Sequence, residues 1–134
     1  MMNMECEMIT KTGYSKKYGF HFTDKDLDES YPGDDLDIQL VIHAPEFWSN
    51  HLVDLCTFDD DLRKASVDIL QRAINVTRDM APHFVGTPKI VVHPGAASID
   101  HPIDDKKGLY DNLRRSVEDL DFKDVELLIE NLPP

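Results

Sequence analysis

Cysteine and long apolar runs are scarce in this sequence of 134 residues. The two cysteines, Cys6 and Cys56, have no Cys-x-x-Cys spacing. Neither a disulfide framework nor a thiolate metal site is therefore predicted, and both thiols are expected to be free. No stretch reaches the roughly 18 apolar residues of a membrane span, and the N-terminus lacks the basic and then apolar order of a signal peptide. We therefore expect a cytoplasmic protein with no membrane partner.

Basic residues are also few. Acids outnumber them 26 to 14, which gives a formal net charge of −12. A surface this negative repels the phosphates of nucleic acid unless its bases cluster. The paired bases at 106–107 and 114–115 are interleaved with acids, a pattern typical of a solvated helix face. Charge therefore disfavours nucleic acid as a partner.

Several common catalytic motifs are absent. The sequence has no Gly-x-Gly-x-x-Gly, no Walker A loop and no Gly-x-Ser-x-Gly elbow, which argues against dinucleotide, nucleotide-hydrolase and serine-hydrolase functions. What is present, 41% apolar and 30% charged residues, is typical of a soluble globular domain. Residues 1–37 carry nine acids, four bases and little periodicity, so they are predicted to form an acidic arm that is mostly loop. The domain is predicted to span residues 38–134.

Three apolar runs in that domain read as buried strands, at residues 38–42, 89–92 and 125–129. A helix is predicted over 59–80, capped by Thr57 or an acid of 59–61, and a second over about 108–120. The residues at helical spacing are Leu62, Ala65, Ile69, Ala73, Val76 and Met80 in the first helix and Leu109, Leu113, Val117 and Leu120 in the second.

The order of these elements predicts an α/β fold, a parallel βαβαβ sheet with flanking helices. Right-handed crossovers make the strands parallel, so their carboxyl ends lie on one rim, where α/β folds collect their functional groups. His43, His93 and Glu130 stand at the three strand ends. Two imidazoles and a carboxylate on neighbouring strands can ligate a divalent metal ion. The alternative is that each is hydrogen-bonded to a neighbouring loop.

The motifs His43-Ala44-Pro45, His93-Pro94-Gly95 and Ile129-Glu130-Asn131, in this order and at strand ends, resemble the xylose-isomerase-like barrel superfamily. That superfamily includes sugar and sugar-phosphate isomerases and epimerases and apurinic endonucleases of the endonuclease IV type. Because a closed barrel needs roughly 250 residues, the resemblance implies a partial TIM (β/α)8 barrel over about residues 38–134.

The resemblance implies roles for the three strand-end residues. In the endonuclease branch the matching histidines and glutamate are zinc ligands, and in the isomerase branch the matching glutamate binds manganese, magnesium or cobalt. His43, His93 and Glu130 are thus candidate metal ligands, and Glu130 is also the candidate catalytic base. The cofactor implied is a divalent ion, Zn, Mn, Mg or Co. Further ligands of the family lie on strands that this sequence does not contain.

Three other rim residues are candidates for substrate binding. Trp48 and His51 follow the first strand, where an aromatic ring can stack on a sugar and a polar group can bond its hydroxyls. Trp48, with Phe47, could equally pack over the barrel mouth. Asn131 could orient Glu130 or form an Asx turn before the final prolines.

The sequence leaves three functions open. The first is a metal-dependent isomerase or epimerase acting on a sugar or sugar phosphate, which the acidic charge favours. The second is an apurinic endonuclease of the endonuclease IV type, which the paired histidine motifs favour. The third is a non-catalytic truncated barrel. Because three strands leave open edges, we expect self-association or a missing barrel half, and we expect the isolated chain to be inactive.

Overall fold

The computed structural model describes residues 38–96 and 103–130. In chain order the elements are β1 (Val41–His43), β2 (Phe47–Trp48), β3 (His51–Leu52), α1 (Asp60–Met80), a 3₁₀ turn (Ala81–His83), β4 (Lys89–Val92), α2 (Lys106–Glu118) and β5 (Glu126–Ile129). The arm predicted for residues 1–37 lies outside the described residues. The strands form a three-stranded sheet in the order β1-β4-β5 and a separate hairpin of β2 and β3.

All pairings in the three-stranded sheet are parallel, as the sequence predicts. Ile42 is opposite Ile90, and Ile90 is opposite Leu127, so the three strands run in step. A helix connects each strand of this sheet to the next one in the sheet. Helix α1 lies between β1 and β4 in the chain, after the β2–β3 hairpin, and α2 lies between β4 and β5. The α/β class and the parallel βαβαβ order are therefore confirmed.

Helix α1 begins where its N-terminal cap predicts. The carboxylate of Asp59 accepts hydrogen bonds from the backbone N–H groups of Asp61 and Leu62, each at 3.0 Å. These bonds satisfy donors that the first turn of a helix leaves without partners. The helix ends at Met80, and Pro82 follows in the 3₁₀ turn.

The buried face of α1 differs from the predicted stripe. Ala65 is exposed, whereas Ser66, Leu70, Ile74 and Thr77 are buried. The two hydroxyls are tolerated there because each is hydrogen-bonded: Ser66 Oγ accepts from the backbone of Asp54 and Thr77 Oγ1 donates to the carbonyl of Ala73. The core lies between this face and the sheet; its buried members are Ala44, Leu55, Leu70, Ala73, Ile74, Ile90, Val92, Leu120 and Val125.

A buried arginine joins the two helices. Arg63 of α1 is 4% exposed, and its guanidinium donates to Asp119 at 2.9 Å, just after α2. Ser116 of α2 is fully buried and donates its hydroxyl to the carbonyl of Leu55 at 2.7 Å. The buried charge is thus paired with Asp119 and holds α2 beside α1, and within the described residues Arg63 Nε is left without a hydrogen-bond partner.

Several boundaries differ from the sequence prediction by one to three residues. The first strand begins at Val41 instead of residue 38, and Ile38 is 50% exposed. Helix α2 begins at Lys106, two residues early, because the Asp105 carboxylate caps Gly108 N–H. The third strand begins at Glu126, one residue late.

Strand β5 lies at an edge of the three-stranded sheet. Its apolar residues Leu128 and Ile129 are 36% and 45% exposed. The sheet does not close on itself within the described residues, as expected for part of a barrel. In that part of the chain, none of the helices combines the length and the apolar character that crossing a membrane requires.

Replacing Ile74 by alanine is expected to destabilise the fold. Ile74 has no exposed surface at the centre of the core, so Ile74→Ala should lower the free energy of unfolding by about 2–5 kcal/mol. The matched control is Ile38→Ala at the half-exposed position, with an expected loss below about 1 kcal/mol. Urea unfolding of both variants measures this, and equal losses would contradict the described core.

Candidate metal centre

The three strand-end residues predicted from the sequence meet at one rim. His43 is the last residue of β1, His93 follows β4, and Glu130 follows β5. The parallel ladder continues to this level, because Ala44 N–H donates to Val91 O at 2.8 Å and Glu130 N–H donates to Val92 O at 3.0 Å. The backbone of the sheet therefore brings the three side chains to the same height.

Their donor atoms form a compact triangle. His43 Nε2 lies 3.1 Å from His93 Nε2, His93 Nε2 lies 2.9 Å from Glu130 Oε2, and His43 Nε2 lies 3.6 Å from the same oxygen. Ligands about 2.05 Å from a tetrahedral zinc ion are separated by about 3.3 Å. The three separations bracket that value, so the residues fit a divalent ion without rearrangement.

The outer nitrogens of both rings have acceptor partners. His43 Nδ1 lies 2.9 Å from the carbonyl oxygen of Ala44, which can only accept, so this nitrogen carries the hydrogen. His93 Nδ1 lies 3.3 Å from Glu46 Oε1 and faces a carboxylate in the same way. For neutral His43 the lone pair is therefore on Nε2. His93 has a carboxylate oxygen beside each ring nitrogen, Glu46 at Nδ1 and Glu130 at Nε2, and it can bind a metal ion through Nε2 when its hydrogen is on Nδ1.

The two Nε2 atoms and a carboxylate oxygen of Glu130 thus converge. With both ring hydrogens on Nδ1, all three atoms are acceptors, and at these separations they repel one another unless a cation lies between them. His93 and His43 side chains are 17% and 28% exposed and Glu130 is 53% exposed, so the group is open to solvent on the Glu130 side. Among residues 38–96 and 103–130, this is the one group of three or more His, Cys, Asp or Glu side chains whose ligand atoms lie close enough together to hold a metal ion.

The predicted substrate-binding residues are not part of this group. Trp48 and His51 are opposite each other in the β2–β3 hairpin, which begins one residue after Glu46. Ser49 and Asn50 form its two-residue turn with φ angles of 48° and 69°, as a type I′ turn requires. Asn131 lies outside the described residues.

Glu46 is a functional candidate to which the sequence gives no role. It follows His43-Ala44-Pro45 and therefore stands near the first ligand in sequence, yet its carboxylate contacts His93, 47 positions further along. Metal-binding histidines commonly donate their second ring N–H to a carboxylate. This preference could have pointed to Glu46, because it is an acid in the loop that follows the first strand-end histidine.

Cys56 is buried and free, as expected of its thiol, and Cys6 lies outside the described residues. Burial, with the nearby negative charge of Asp54, raises the pKa of the Cys56 thiol to about 11. The thiol is therefore protonated at neutral pH and is neither a nucleophile nor a metal ligand.

Comparisons with known proteins place the chain among α/β barrels. A family model described as a xylose isomerase-like TIM barrel matches residues 18–134, starting within the predicted arm. A probable endonuclease 4 from Halobacterium salinarum is 41% identical over 101 residues, covering 72% of this chain and 30% of that protein. The chain thus spans less than a third of the length of this relative. No solved structure matches it.

The raised pKa of Cys56 predicts slow alkylation. In a Cys6→Ser variant, where Cys56 is the remaining cysteine, the rate of reaction with iodoacetamide should stay low at pH 8 and rise only toward pH 11. The same variant unfolded in urea is the control and should react at the rate of an ordinary thiol. An apparent pKa at or below 9 in the folded protein would contradict the described environment.

Proposed function

Because this chain belongs to the xylose isomerase-like TIM barrel family, we propose that it forms part of a metal-dependent phosphodiester hydrolase of the endonuclease IV type, acting at abasic sites in DNA. The convergence of His43 Nε2, His93 Nε2 and Glu130 Oε2 is the observation that carries the proposal. The identity to a probable endonuclease 4 supports it.

The chemistry of the donors favours zinc. Imidazole nitrogen suits zinc, whereas magnesium and manganese prefer oxygen ligands. A set of two histidines and one glutamate is also found in zinc hydrolases, where an open position remains for the reaction. When bound, a divalent ion supplies positive charge that stabilises the charge developing on a phosphoryl oxygen.

The chain's own residues have distinct roles in this proposal. His43 and His93 hold the ion through Nε2, and Glu130, the most exposed of the three, supplies a carboxylate that can also accept a proton from the attacking group. Glu46, whose Oε1 lies 3.3 Å from His93 Nδ1, favours the ring hydrogen on that nitrogen and so leaves the Nε2 lone pair for the ion.

The hairpin after β1 is the proposed contact with substrate. Phe47 is 65% exposed, and His51 is exposed at the paired position beside Trp48. Exposed aromatic rings stack on bases and sugars, and Trp48, the residue after Phe47, is half-buried. We assign substrate binding to Trp48 and His51, with Asn131 as a further candidate.

The remaining barrel is expected to complete the site. The chain spans 30% of its endonuclease relative, and β5 presents exposed Leu128 and Ile129 at a sheet edge. Further strands would cover this edge and supply more ligands. We therefore expect the 134-residue chain to bind metal without turning over substrate.

A metal-dependent sugar isomerase or epimerase is the second candidate, and charge is the observation that favours it. Glu130 is a member of the centre and Glu46 contacts His93 in it. Most bases of the described part form ion pairs with acids outside the centre: Arg63, Lys64, Arg72, Arg78, Lys89, Lys107, Arg114 and Arg115. The expectation that nucleic acid is disfavoured nevertheless finds no support in the comparisons.

Zinc affinity tests the ligand assignment. His43→Ala, His93→Ala and Glu130→Ala should each weaken zinc binding by more than about 100-fold, and Glu46→Gln by about 10-fold, because it acts through His93. Titration calorimetry on the full chain measures these changes. His83→Ala, which removes an imidazole outside the centre, is the matched control and should bind zinc as the wild type does.

The wild-type chain should also bind zinc more tightly than manganese, because two of the three ligand atoms are imidazole nitrogens. Unchanged zinc affinity in both His93→Ala and Glu130→Ala would remove these residues from the centre. A clear preference for manganese over zinc would favour the isomerase candidate.

A chimera tests the activity. In this chimera, the part of this chain that matches the Halobacterium relative replaces the corresponding segment of that relative, a match of 101 residues. We expect the chimera to nick abasic duplex DNA when zinc is supplied. His93→Ala in the chimera should lower the rate by more than about 100-fold, and His83→Ala should leave it unchanged.

A folded, zinc-loaded chimera that leaves abasic DNA intact would contradict the hydrolase proposal. Interconversion of an aldose and a ketose by that chimera would instead establish the second candidate. Measuring both reactions on one preparation removes differences in folding or metal content.

A further inference from the structure

A short loop after β4 carries the chain away from His93, and the segment before α1 binds it closely. Leu55 N–H donates to Pro94 O at 2.9 Å, and Ala96 N–H donates to Asp54 Oδ1 at 3.2 Å. The same carboxylate oxygen accepts from Cys56 N–H at 2.8 Å. One oxygen of Asp54 therefore bridges its own segment and the loop that begins at the candidate ligand His93.

Gly95 allows this close approach. Its φ angle is +91°, and a Cβ atom there would lie 2.7 Å from the Cα of Asp54, closer than any side chain tolerates. Ala96 also has a positive φ, 65°, which is unusual for a residue with a Cβ. Two successive left-handed residues need external support, and the hydrogen bond from Ala96 to Asp54 supplies it.

Asp54 is itself anchored to the core. Its backbone N–H donates to Ser66 Oγ at 2.9 Å, and Ser66 is 1% exposed on α1. The next residue, Leu55, is fully buried, and its carbonyl accepts from Ser116 Oγ of α2. Asp54 is half-buried, and its segment is hydrogen-bonded to both helices while its carboxylate is bonded to the loop after His93. The position of this loop is therefore coupled to both helices.

We propose that Asp54 is a positioning residue for His93: by holding Pro94–Ala96 it fixes the direction in which His93 presents Nε2. The ladder of β4 ends at Val92, whose carbonyl accepts from Glu130 N–H, so the path of the chain beyond His93 is set by the bonds to Asp54 and Leu55. The expected effect of Asp54 on metal affinity rests on the proposed function. Its expected effect on the orientation of the His93 ring does not.

The test uses Asp54→Ala and Asp54→Asn in the full chain. Asparagine keeps an oxygen in place of Oδ1 and can accept both backbone hydrogen bonds, whereas alanine cannot. Two readouts are needed: the ¹H–¹⁵N signals of the His93 ring in the metal-free chain, and the zinc affinity by calorimetry. The control is Asp79→Ala, which removes an exposed carboxylate near the end of α1, 13 residues after Ser66, the α1 residue that Asp54 contacts.

Asp54→Ala should shift or broaden the His93 signals and weaken zinc binding by about 10- to 100-fold. Asp54→Asn should restore both to within about threefold of the wild type, which general destabilisation would not explain. Unchanged His93 signals in folded Asp54→Ala would overturn the proposal. If those signals move but the wild type binds no zinc, the positioning role stands and the metal-dependent function fails.

Gly95→Ala covers the case in which Asp54→Ala does not fold. The added methyl group displaces the loop from Asp54 while the carboxylate remains, so the His93 signals should move in the same direction. A folded Gly95→Ala variant with wild-type His93 signals would also overturn the proposal.

Discussion

Convergence of three potential metal ligands on adjacent parallel strands is the feature around which the rim of this protein is organised. Parallel pairing of β1, β4 and β5 places His43, His93 and Glu130 at one level. The carbonyl of Ala44 fixes the ring hydrogen of His43 on Nδ1, and the carboxylate of Glu46 lies 3.3 Å from His93 Nδ1. The Nε2 atoms of the two rings lie 3.1 Å apart, and a divalent cation can bind both when each carries a lone pair.

The rest of the described structure holds this arrangement in place. Helix α1 packs its buried face on the sheet, and Arg63 holds α2 beside it. Between the helices and the rim, the segment around Asp54 and Leu55 connects Ser66 and Ser116 to the loop after His93. Hydrogen bonds from buried polar groups thus link the core to the centre, which favours a single geometry at the rim.

Local patterns were enough to predict the parallel sheet and the three strand-end residues. Each strand is a short apolar run that ends in a histidine or glutamate, and α1 has a clear helical period with an acid as its cap. The β2–β3 hairpin was missed because its strands have only two residues each and its turn is Ser49-Asn50 without a glycine. Glu46 and Asp54 were missed as supporting residues because their partners lie about 40 or more positions away, and such contacts leave no periodic signal.

The composition of the metal shell tests the account most directly. X-ray absorption at the zinc edge of the loaded 134-residue chain should show two imidazole nitrogens at about 2.0–2.1 Å and at least one oxygen at about 2.0–2.2 Å, with no sulfur at about 2.3 Å. His93→Ala should reduce the imidazole count to one. A shell with sulfur, or one whose imidazole count is unchanged by His93→Ala, would contradict a centre built from His43, His93 and Glu130.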